Sequence, residues 1–195
     1  MGLTEYLDQI LDWHKRYDTP VARDIQPGLS QDEILTRISQ LPFKLSHEFV
    51  ELYQWRNGVR IDATSADPSL FEFHRFLPLE EALESFKMSY PIFKSFYELA
   101  DWMPTFQDPA GDGYGLFKVT DSREPAQVVF LMEGEGVQVV FDSLTQMMTT
   151  VVSCFEEDVF TWKGSEMETD FEALGEVAVR LNPNIRYWRD YNAGR

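Results

Sequence analysis

Leu3, Tyr6, Leu7, Ile10, Leu11, Trp13 and His14 recur at intervals of three and four, which predicts an amphipathic helix over 3–17. Residues 18–29 carry Pro20, Pro27 and Gly28 and read as a linker. Ser30 with Glu33 forms a capping box for a second helix whose stripe is Ile34, Leu35 and Ile38; Leu41-Pro42 closes it. Ser46 is the expected cap of a third helix, with His47 and Glu48 in its first turn and Phe49, Val50, Leu52, Tyr53 and Trp55 as its apolar surface. Asn57-Gly58 stops it, Gly58 taking a left-handed cap conformation.

The pattern then shifts. Strands are predicted at 59–61 and 70–76, the second with Phe71, Phe73 and Arg75 on one face. Pro78 opens a helix over 79–88, and 89–100 fits no single period. Strands at 102–106 and 114–119 flank a turn at 108–113; strands at 128–132 and 137–141 flank Glu133-Gly134-Glu135-Gly136, a hairpin signal. Ser143 caps a helix bearing Leu144, Met147, Met148, Val151, Val152 and Phe155, and Thr169 is the expected cap of a last helix closed by Asn182-Pro183-Asn184. An aromatic tail with Tyr187, Trp188 and Tyr191 follows. Strands in the middle with helices before and after indicate an α+β fold, a mostly antiparallel central sheet packed with helices.

Charge narrows the function. Acidic residues number 33 and basic residues 17, a net charge of −16 over 195 residues. Such a surface repels phosphate, so nucleic acid is not an expected ligand. A basic protein would be attracted and steered, although plain solubility explains the charge equally well. The single cysteine, Cys154, excludes an internal disulfide and suits a reducing cytosol. The N-terminus has neither a signal peptide nor a myristoylation pattern, and no apolar run approaches a membrane span. A cytoplasmic protein with no membrane partner is expected.

Candidate chemistry is sparse. His47-Glu48-Phe49-Val50-Glu51 approaches the zinc-protease pattern H-E-x-x-H but lacks the second His. Asp108 to Gly113 suggests a calcium loop, yet the twelfth position from Asp108 is Val119, not Glu. Gly111-Asp112-Gly113-Tyr114-Gly115 is too short for a dinucleotide fingerprint. No nucleophile elbow occurs, and Cys154 beside Phe155 reads as a buried, inert thiol. No catalytic residue, metal or cofactor is expected. The better candidates are contact residues. Asp101, Asp108 and Asp112, with Glu133 and Glu135 on the neighbouring hairpin, would form an anionic rim around Trp102 and Tyr114 if their turns share one edge. The competing reading is core aromatics with ordinary loop acids.

The ordered set of motifs resembles the SUKH superfamily, which includes fungal cell-wall assembly (glucan synthesis) regulators and bacterial immunity proteins. The matching residues are Leu41-Pro42 with the helix ending Asn57-Gly58; Phe76-Leu77-Pro78-Leu79-Glu80-Glu81-Ala82; Trp102-Met103-Pro104 with Gly111-Asp112-Gly113-Tyr114; and Ser143-Leu144-Thr145-Gln146-Met147-Met148. They cover about residues 30–160, within a single SUKH-like domain spanning 1–195 that adds an N-terminal helix and an extension over 165–195. Two features depart from the pattern: the short Gly-containing turn after 128–132, and that extension. The resemblance implies a non-enzymatic binding scaffold, with immunity to a basic, nuclease-type toxin as the first expectation. A regulatory scaffold of the cell-wall assembly type is the alternative, and an unrecognised hydrolase a third.

Overall fold

The computed structural model describes residues 1–61, 67–96, 100–132 and 136–193. Its centre is a five-stranded antiparallel sheet in the order β3 (Arg75–Phe76), β4 (Trp102–Gln107), β5 (Gly113–Phe117), β6 (Val128–Met132) and β7 (Gly136–Phe141). Alternation along the strands divides its side chains. Met103, Phe106, Tyr114, Leu116, Val128, Phe130, Val140 and Phe141 enter the main core. Trp102, Val129 and Val137 form a smaller cluster with Phe93, Phe117 and Leu131. Antiparallel strands packed with helices make this an α+β fold, as the sequence pattern indicates.

Helices α1 (Leu3–Arg16), α4 (His47–Trp55) and α6 (Leu144–Glu156) pack on one another around the main core. In α1 the predicted stripe is buried at Leu3, Leu7, Ile10, Leu11 and His14. α3 (Gln31–Ile38) has the Ser30–Glu33 capping box, and Ser143 caps α6 through Gln146 N.

Two bulges place polar atoms usefully. In β4, Thr105 falls between the pairs Pro104–Gly115 and Phe106–Tyr114, and its carbonyl accepts Leu77 N at 2.9 Å. In β7, Val140 falls between the partners of Val128 and Val129, so Val140 and Phe141 both reach the main core.

Several elements differ from the sequence pattern, each for a local reason. Residues 18–29 are not merely a linker: Pro20 opens α2 (Pro20–Asp24), and β1 (Ile25–Pro27) pairs with β2 (Arg56–Val59). Asn57 and Gly58 therefore lie in a strand. Residues 70–76 are not one strand. Glu72 has φ +50°, the chain reverses, and Leu70 N donates to His74 O at 2.8 Å. α5 (Leu79–Phe96) runs past Met88 and contains Pro91. The hairpin β8 (Phe160–Lys163) and β9 (Glu166–Thr169) was not marked by periodicity, and Asp170, not Thr169, caps α7 (Phe171–Leu181). The aromatic tail is α8 (Arg186–Ala193), which packs on α7 and β7.

Candidate interaction surface

The motif residues are mostly joints of the fold. Asn57 Oδ1 accepts Leu79 N at 3.0 Å and so caps α5 from another strand. Gly58, at φ +77°, passes so close that a Cβ would stand 2.2 Å from Pro78 N. Gly115 leaves room for the Trp102 indole, which a Cβ would meet at 2.3 Å. Glu48 is buried and leaves its own helix to accept Leu144 N at 3.2 Å and Thr145 N at 3.0 Å, with Thr145 Oγ1 at 2.6 Å. Glu48 thus caps α6, a role that its place in the first turn of α4 does not announce.

The anticipated rim is divided by the sheet. β5 pairs with β6 so that Gly113 lies opposite Leu131, which puts the 108–112 turn at the same end of the sheet as Met132 and Gly136. Glu133 and Glu135 lie outside the described residues. Asp101 precedes β4, at the other end, about 20 Å from Asp108 at strand rise. Asp101 accepts from Lys118 Nζ at 2.6 Å and Tyr90 OH at 2.9 Å. Its partial burial raises the carboxyl pKa, but these hydrogen bonds and the Lys118 charge outweigh that and hold it below the usual range.

The two aromatics do not stand at a rim. Trp102 is 4% exposed against Phe93, and Tyr114 is 6% exposed in the main core. Both are strand residues whose alternation turns them inward, so neither is an accessible anchor. Tyr114 OH donates to Glu72 Oε2 at 3.3 Å, and burial followed by the Glu72 charge pushes its pKa up. His74 Nδ1 lies 2.9 Å from the same Glu72 oxygen without the alignment of a hydrogen bond. Asp108 Oδ1 accepts from Ala110, Gly111 and Asp112 N at 2.8, 2.8 and 3.0 Å, which fixes the turn.

Two clefts bring candidate contact residues together. One, of about 770 Å³, lies between α3 and α4 and is lined by Leu35, Ile38, Phe43 and Val50 with Lys44, His47, Glu51 and Arg123. The other, of about 690 Å³, is lined by Pro68, Phe73, Arg75, Asp108, Glu166 and Met167, with Ile61 and Asp67. The second brings Asp108 beside an exposed aromatic, which the strand assignment for 70–76 concealed. In the first, His47 and Glu51 share a wall, but Glu51 accepts from Thr4 N and Oγ1 at 3.2 and 2.8 Å. Among the described residues no group of three His, Cys, Asp or Glu side chains could hold a metal ion, and no helix is long and apolar enough to cross a membrane.

Residues 28–150 match the family model described as SMI1 / KNR4 family (SUKH-1). No curated protein matches the chain.

Proposed function

Because the chain belongs to the SMI1 / KNR4 family (SUKH-1), we propose that it works by binding another protein rather than by catalysis. The partner is a basic protein, and neutralisation of a nuclease-type toxin is the role that best suits the charge. The observation that carries this reading is the excess of 33 acidic over 17 basic residues. A surface of that sign raises the encounter rate with a cationic partner and then occludes it by contact. The carboxylates that line the clefts support the non-catalytic part of the reading, since several hold groups of the chain itself. Asp67 accepts from Ser69 and Met167 N, Asp108 from its own turn, and Glu51 from Thr4.

The test is capture of basic proteins from the host at low salt, followed by kinetics on each purified partner. The association rate is expected to fall by about tenfold or more between about 50 and 500 mM salt. For a nuclease partner, one equivalent of the chain should stop cleavage. A partner whose own activity is untouched points to the regulatory scaffold instead. A salt-insensitive rate with the true partner, or reproducible turnover in a substrate screen that is lost in His47→Ala, overturns the proposal.

A further inference from the structure

Resting on that binding reading, we propose that the face built from Phe73 and Phe171 beside the β8–β9 hairpin is where the partner docks, and that it receives an arginine side chain. Phe73 is 43% exposed although its neighbours Glu72 and His74 are buried. The reversal at Glu72 is the cause: it turns Phe71 and His74 inward and leaves Phe73 outside. A left-handed backbone is uncommon for glutamate and is held here by the structure around it. The ring lies 6.0 Å from that of Phe171, which is 44% exposed, so two aromatics stand together in solvent.

The charge around these rings selects the occupant. Asp108 and Glu166 line the cleft with Phe73; Asp108 Oδ1 is taken by its own turn, so Glu166, exposed in the β8–β9 hairpin, supplies the carboxylate. Arg75, the cation of that wall, donates to Val59 O at 2.9 Å and to Glu81 at 2.6 Å, so its guanidinium is committed elsewhere. An incoming guanidinium can lie flat on an aromatic face while its fork reaches a carboxylate. A lysine offers a point charge without that plane. The α3–α4 cleft is less suited to a cation, since Lys44, His47 and Arg123 line it against Glu51 alone. A second copy of this chain, also at −16, would be repelled.

The experiment uses the full chain, isotope-labelled, titrated at low salt with a capped hexa-arginine peptide and separately with hexa-lysine. Amide shifts are expected to centre on Phe73, Asp108, Glu166 and Phe171, with the arginine peptide binding more tightly. Phe73→Ala and Glu166→Gln together should weaken arginine-peptide binding by about tenfold while the circular dichroism spectrum is unchanged. Shifts centred on residues 35–50 or spread over the surface would overturn the assignment, as would equal affinity for the two peptides. The same double variant separates this proposal from its premise. A basic partner that binds with steep salt dependence but ignores both substitutions refutes only the location. Absence of any basic partner refutes the function.

Discussion

Glu48 and Leu144 are 96 residues apart, yet the carboxylate of one accepts the backbone N–H of the other at 3.2 Å. One side chain therefore ties the helix before the sheet to the helix after it. An ionised acceptor at a helix N-terminus is favoured both by its hydrogen bonds and by the helix dipole. Glu48→Ala should cost about 2–3 kcal/mol, because it strands buried donors as well as removing the cap. Urea unfolding, read as a shift in midpoint at constant slope, checks this; a loss under about 0.5 kcal/mol would refute it.

Two glycines with positive φ should respond very differently to alanine. At Gly58 the added Cβ would meet Pro78 N at 2.2 Å and Leu77 C at 2.5 Å, whereas at Gly164, φ +64°, nothing stands within 4 Å. Gly164→Ala should cost about 1 kcal/mol from backbone strain alone. Gly58→Ala should cost at least about 3 kcal/mol, since backbone has to move as well. Thermal unfolding of the two variants side by side gives the comparison.

His14 makes stability depend on pH. Burial depresses its pKa to about 4 from 6.5, although the hydrogen bond to Leu70 O and the Asp67 charge oppose this. The neutral ring bridges Thr19 Oγ1 and Leu70 O, each at 2.8 Å. Below pH 6.5 the unfolded chain takes up a proton that the folded chain does not. His14 therefore contributes fully above that value, and its contribution falls as pH drops toward 4, by about 3 kcal/mol in all. His14→Gln should be less stable at pH 8 and lose less than wild type between pH 6.5 and 4. Parallel curves would refute the assignment.

Glu72 and His74 are in contact inside an aromatic shell, with His74 packed among Phe71, Tyr114 and Phe130. Replacing one partner leaves the other buried without its counterpart. Glu72→Gln and His74→Leu should each destabilise the fold, and the double variant by less than their sum. A double-mutant cycle with zero coupling would show that the contact contributes nothing.

Cys154 should be inert in the folded state. It is fully buried, and that burial, with the Glu72 and Glu157 charges, pushes the thiol up to about 12. A thiol reagent at pH 8 should label it at the rate of unfolding and rapidly in denaturant. Fast labelling of native protein would contradict the packing.

The sequence carried the local periodicities well. The α1 stripe, the Ser30–Glu33 box, the Ser143 cap and the β4–β5 and β6–β7 pairs all follow from residue order. It failed where a distant partner decides. β1 exists because β2 pairs with it, and Glu72 turns left-handed where the chain closes back through Leu70 N to His74 O and Tyr114 OH reaches its carboxylate. The site was harder still. Trp102 and Tyr114 are large and flanked by acids, which is also how strand residues of a two-faced sheet look. Phe73 was hidden because alternation placed it in a regular strand, where the chain in fact reverses. The motifs that carry the family pattern are junctions such as Asn57–Leu79 and Trp102–Gly115. They specify the architecture, so they are silent about what it meets.

The Trp188 indole donates at 2.7 Å to Val140 O, the carbonyl that the β7 bulge leaves over. Trimming the protein to its recognisable portion, 28–150, would strip that donor away along with Leu174 and Val177, and the last strand would be left as a bare margin. Such a fragment should self-associate rather than report on binding, so any useful expression boundary lies well beyond the stretch that makes the family identifiable.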